Sequence, residues 1–112
     1  MLQEKLRRED LLQAVLARET VTTVDIKKVI IPKAMNAGKH FHPCPVVGYI
    51  VSGKVLFQVE GEEEKILNAG EAFYEPKNKT ILHFDNASAE ESLVFIAFYL
   101  KEGQEELIKM LV

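Results

Sequence analysis

Residues 38–53 read GKHFHPCPVVGYIVSG. Val46–Val51 is rich in β-branched and aromatic side chains, is too short for a typical helix, and stops at the turn pair Ser52-Gly53. It reads as a strand. Before it, His40 and His42 stand one residue apart, and in an extended segment positions i and i+2 project from the same face. Their imidazoles therefore aim at one volume, while Pro43 and Pro45 interrupt strand geometry between the two segments.

The same punctuation recurs on both sides. Asn36-Ala37-Gly38, Glu60-Gly61-Glu62, Asn68-Ala69-Gly70, Pro76-Lys77-Asn78 and Asp85-Asn86 each supply turn chemistry. The runs they separate predict strands over 24–32, 39–42, 46–51, 54–60, 63–67, 71–75, 79–84 and 92–100. Short strands at this spacing point to an all-β sandwich, jelly roll or barrel and not to a βαβ sheet. Val55, Phe57 and Val59 alternate with Lys54, Gln58 and Glu60, so one face of that strand is core. The six phenylalanines, at 41, 57, 73, 84, 95 and 98, read as core or pocket wall.

The ends differ in character. Residues 1–20 form a Leu-rich arm whose composition favours helix, yet whose alternation around Leu12, Ala14 and Leu16 also suits a strand. Residues 104–111 place Leu107, Ile108 and Leu111 at helical spacing, with acids early and Lys109 late, and predict a short amphipathic helix.

A chain of 112 residues holds one domain, spanning 1–112 with a barrel core over 24–100. A formal net charge of -3 gives no field for phosphate backbones, so nucleic acid is not an expected partner. The single Cys44 forms no internal disulfide, the apolar runs fall short of a membrane span, and no apolar signal core precedes the N-terminal charges. A cytoplasmic protein without membrane attachment is expected.

Neutral imidazoles are nitrogen donors for transition metals, and a strand carrying two of them needs a third ligand from elsewhere. His83, the remaining histidine, is the candidate if its strand lies opposite. An HxH pair is also compatible with ordinary polar surface on an edge strand.

The surroundings add a resemblance. HxHPxPxxGY over His40–Tyr49, FxEP over Phe73–Pro76, and His83 followed by Asn86 resemble the two sequence motifs of the cupin family, most closely small single-domain cupins. The resemblance covers roughly residues 24–100. It implies a double-stranded β-helix, a metal centre at His40, His42 and His83, and a homodimer in which N-terminal segments pack on the partner's sheet. Two departures stand out. Val46 occupies the place of the acidic ligand of the first motif, and seven positions separate Pro76 from His83, so that Ile81 falls nearer the usual spacing. For His83 to serve as ligand, residues 77–80 have to loop out.

A three-His set leaves a divalent ion, whether Fe, Zn, Mn, Ni or Cu, with open positions for a small organic molecule. Cys44, Tyr49 and Asp85 are further candidates for the site, and Glu75 for a catalytic base. The expected function is Lewis-acid or dioxygenase-like chemistry on a small organic ligand. The alternatives are a binding or sensing module without turnover, and a metal-free isomerase or epimerase in which histidine acts as base.

Overall fold

The computed structural model describes residues 4–111. Nine strands follow one another: β1 (Thr23–Ile31), β2 (His40–Phe41), β3 (Val46–Ser52), β4 (Lys54–Val59), β5 (Lys65–Asn68), β6 (Ala72–Glu75), β7 (Ile81–Asn86), β8 (Leu93–Lys101) and β9 (Lys109–Met110). They form two antiparallel sheets, ordered β1-β8-β3-β6 and β5-β4-β7-β2-β9. The eight strands predicted from sequence correspond to β1–β8. Among the described residues no helix is present, and none is long and apolar enough to cross a membrane.

Alternation decides what each sheet turns inward. In the first sheet, cross-strand rungs align Val29 with Phe95 and Ile50, and Ala97 with Gly48 and Phe73. From the second come Val55, Phe57, Val59, Ile81 and Phe84, all buried. Four of the six phenylalanines, Phe57, Phe73, Phe84 and Phe95, meet edge to face or tilted at centroid separations of 4.7–6.2 Å. Phe41 and Phe98 stay half-buried outside this cluster. Gly48 makes room for it, because a Cβ there would lie 2.2 Å from the Phe73 ring. Asn86 pins the closing loop: its Nδ2 reaches the carbonyls of Ile31, Pro32 and Glu91 at 2.9–3.1 Å, and its Oδ1 accepts the Ser88 N–H.

Both termini depart from the sequence reading. Residues 4–22 adopt neither helix nor strand, with Leu6 and Val15 largely exposed and Leu11, Leu12 and Ala14 beside Val47, Tyr49, Ala72 and Phe98 of the first sheet. Residues 104–111 do not form the predicted helix. They turn back after Gly103, at φ 63°, and end in β9, which pairs with the free edge of β2. So short a helix is marginal alone, whereas an open strand edge offers backbone partners along its length.

Candidate metal centre

His40 sits in β2 and His42 one residue beyond it, and both residues are 3% exposed. Each Nδ1 faces a backbone carbonyl, Gly38 O at 2.7 Å from His40 and Leu107 O at 2.6 Å from His42. A carbonyl only accepts, so both Nδ1 atoms carry hydrogen, and in the neutral rings the lone pairs lie on Nε2. Those Nε2 atoms converge on a third group, the Glu75 carboxylate, whose Oε2 lies 3.3 Å from His40 Nε2 and 3.2 Å from His42 Nε2.

The third group comes from sheet register. Glu75 ends β6 directly opposite Val46 of β3, and facing residues of an antiparallel pair share a side of the sheet. The carboxylate absent at position 46 is thus delivered into the same volume from the neighbouring strand. One ligand atom from each of His40, His42 and Glu75 lies within 4.8 Å of the others, and all three residues are buried. His42 Nε2 is the one buried side-chain polar atom among the described residues with no hydrogen-bond partner, although it faces Glu75. A buried acceptor left open, next to a second imidazole nitrogen and a carboxylate oxygen, has the donor chemistry of a divalent transition-metal site.

Burial alone pushes the Glu75 carboxyl up, but the neighbouring His40 and His42 outweigh it and hold the group below its ordinary value. Burial likewise drives the His40 imidazole down, and the Glu75 bond, the Gly38 carbonyl and the charges of Glu75 and Asp85 outweigh that and leave it raised. His40 and Glu75 thus each favour the charged form of the other.

The three-imidazole expectation is corrected here. Pairing of β4 with β7 runs Gln58 to His83 and then Val59 to Ile81, so Leu82 is an extra residue. Without that bulge, Ile81 and His83 would share a face; with it, Ile81 and Phe84 point inward and His83 does not. Residues 77–80 do not loop out either. Asn78, at φ 61°, makes a tight turn whose N–H donates to the His42 carbonyl. His83 instead donates from Nδ1 to Asp85 at 2.7 Å and approaches Glu64 at 3.9 Å, with a side chain 39% exposed. Ile81, opposite His40 and fully buried, takes the place nearest the pair on β7.

The other candidates fall away from the cluster. Cys44 is fully buried in the core, its thiol pushed up to about 11 chiefly by burial. Tyr49 lies on the outer face of β3 and Asp85 holds His83. Glu75 is in the site as a ligand-grade group where the sequence suggested a base.

A cavity of about 370 Å³ opens onto the three residues. Val29, Ile31, Phe84, Phe95, Ala97 and Ile108 supply apolar wall. Tyr99 lines it too, its ring edge-on to His42 at 5.8 Å and its phenol pushed up to about 12 by burial and the Glu75 charge. The sequence reading passed over Tyr99. Its signal was parity along β8, where Leu93, Phe95, Ala97 and Tyr99 form the buried series.

A sequence model of the cupin domain matches residues 27–99. The chain belongs to the cupin family. No match was found among curated proteins. Solved structures agree on the fold. A cupin with a double-stranded β-helix from Methanocaldococcus jannaschii superposes with TM-score 0.60 at 23% identity, covering 69% of each chain. DMSP lyase DddQ from Ruegeria pomeroyi gives 0.64 at 17% identity, over 78% of this chain and 42% of its own. Oxalate decarboxylase from Bacillus subtilis, described for its Mn(II) centres, gives 0.66 at 21% identity, over 80% and 24%. This cupin therefore spans less than half the length of the lyase and about a quarter of the decarboxylase. The tail that carries Leu107 and Ile108 lies beyond the matched cupin segment.

Proposed function

We propose that this cupin is a metal-dependent enzyme that holds a divalent transition ion through His40 Nε2, His42 Nε2 and Glu75 Oε2 and acts on a small organic molecule in the adjoining cavity. The observation that carries the reading is the buried, unpartnered His42 Nε2 facing a second imidazole and a carboxylate. Two histidines and one carboxylate with open positions are the donor set of non-haem ferrous oxygenases, and they also suit manganese or zinc. Bound there, the ion supplies Lewis acidity toward an oxygen of the organic ligand and, when ferrous, oxygen-dependent chemistry.

The chain's own groups do the rest. The Gly38 and Leu107 carbonyls fix both ring tautomers and keep each Nε2 turned inward. Apolar walls lower the polarity around the three groups and strengthen polar contacts there. Tyr99 keeps its proton through the neutral range and offers a hydroxyl donor to a bound ligand. The structural neighbour named for its Mn(II) centres supports a metal-dependent role. Elemental analysis of protein purified without a histidine tag tests it. About one equivalent of transition metal, lost in His42→Ala and retained in His83→Ala, is the expected result; metal-free protein that takes up none of Fe, Zn or Mn contradicts it.

The outer face of the first sheet supports a second proposal, a homodimer. Its rungs read Ile26–Phe98–Val47–Tyr74 and Lys28–Ile96–Tyr49–Ala72, flanked by Val24, Leu100, Ile30 and Val94. Ile26 is 63% exposed. With only Lys28 charged across those rungs, the surface selects an apolar partner, and a second copy brings the same face to a two-fold contact.

A further inference from the structure

The walls of the cavity carry a statement about charge that rests on the metal reading above. The residues lining it include no lysine and no arginine; its polar members are Asn36, Tyr99 and the three candidate ligands. A divalent ion on two neutral imidazoles and one carboxylate has one net positive charge, bordered mainly by apolar side chains. A monoanionic chelator neutralises it. A dianion such as oxalate leaves a buried negative charge with no cation in the lining to meet it, at the steep cost of an unpaired charge in a low dielectric.

We infer that the cavity takes an organic monoanion that binds through two neighbouring oxygen atoms and carries a compact hydrocarbon body, and that it discriminates against small dianionic carboxylates. The volume of about 370 Å³ lies at the small end of ligand sites, which run from roughly 300 to 1,000 Å³. The hydrocarbon body faces Val29, Phe95 and Ile108, whose burial by ligand supplies the apolar share of binding. The Tyr99 hydroxyl and the Asn36 amide are the uncharged side-chain donors in the lining able to meet a ligand oxygen turned away from the ion.

Tropolone, a planar monoanionic O,O-chelator, and oxalate, its dianionic counterpart, are the probes. Zinc, which has no redox chemistry, is loaded first, and its content is measured before and after ligand addition. Titration calorimetry then compares each probe on the loaded protein with the same probe on aqueous zinc. The protein should favour tropolone over oxalate at least tenfold more than the free ion does, a difference of about 1.4 kcal/mol. Ile108→Arg, which places a cation on the half-open wall, should bring that ratio back to the aqueous value or below it with zinc content unchanged. A wild-type preference no greater than that of aqueous zinc overturns the inference, as does a ratio that Ile108→Arg leaves unmoved. Failure to take up zinc at all, seen before either probe is added, overturns the metal reading and this one with it.

Discussion

At the scale of single residues, the centre is defined by which nitrogen of each ring is occupied. Carbonyl partners commit both Nδ1 atoms, so both Nε2 atoms are left facing the Glu75 carboxylate. Glu75→Gln keeps the shape and removes the anionic donor, and zinc affinity should fall at least about a hundredfold by calorimetry, near the upper end of what outer-shell changes cost elsewhere. His83→Ala should leave it unchanged. In metal-free protein the raised His40 adds stability that is complete below its ordinary value of 6.5 and fades as pH rises through its folded value. The lowered Glu75 adds stability that is complete above 4.5 and fades as pH falls through its folded value. The metal-free form should therefore melt highest between those two values. Zinc, which requires the deprotonated ring, should move the maximum upward. A melting temperature of the metal-free form that rises from about pH 6 to about pH 8.5 would contradict this linkage.

At the scale of elements, the strands were legible because their hydrophobic periods and turn residues are local. Val46–Val51 between Pro45 and Ser52-Gly53 needed no other part of the chain to declare itself, and neither did the alternation of Val55, Phe57 and Val59. What the sequence concealed was set by pairing. Glu75 enters the site because it faces Val46 across the β3–β6 ladder, a register no local pattern encodes. One extra residue at Leu82 reverses the facing of His83, and spacing in the motif cannot say whether a loop or a bulge absorbs it. The tail became β9 because β2, far back in the chain, offered an edge. Two substitutions follow. Ile81→His places a third imidazole beside His40 on β7 and should tighten zinc binding about tenfold or more, the scale of one added interaction of 1.4 kcal/mol. Gly48→Ala forces the Phe73 ring aside and should cost about 1–3 kcal/mol in denaturant unfolding, in the range of core overpacking. Removal of residues 104–112 takes away the Leu107 carbonyl, so zinc affinity should drop by about 10–100-fold, the usual effect of losing a metal ligand's supporting hydrogen bond.

At the scale of the whole molecule, the two sheets divide the work. Their facing sides make the phenylalanine core and, at one end, the cavity with its three candidate ligands. Their outer sides differ: Lys54, Gln58 and His83 occupy the second sheet, whereas the first presents aliphatic and aromatic rungs, with Leu11 and Leu12 of the arm beside Val47, Tyr49, Ala72 and Phe98. Sedimentation equilibrium should give twice the 12.7 kDa chain mass. The pair Ile26→Lys and Tyr49→Glu should halve it without unfolding the barrel, and a wild-type mass of one chain would contradict the dimer. Because the apolar face and the cavity lie on opposite sides of the first sheet, that variant should bind zinc as the parent does.

The most direct measurement is anomalous diffraction at the zinc absorption edge from crystals of the zinc-loaded protein. The account predicts one strong peak within about 2.0–2.2 Å of His40 Nε2, His42 Nε2 and a Glu75 carboxylate oxygen, the usual zinc-ligand range. Density for zinc at His83 and Asp85, with none between the two buried imidazoles, would contradict it.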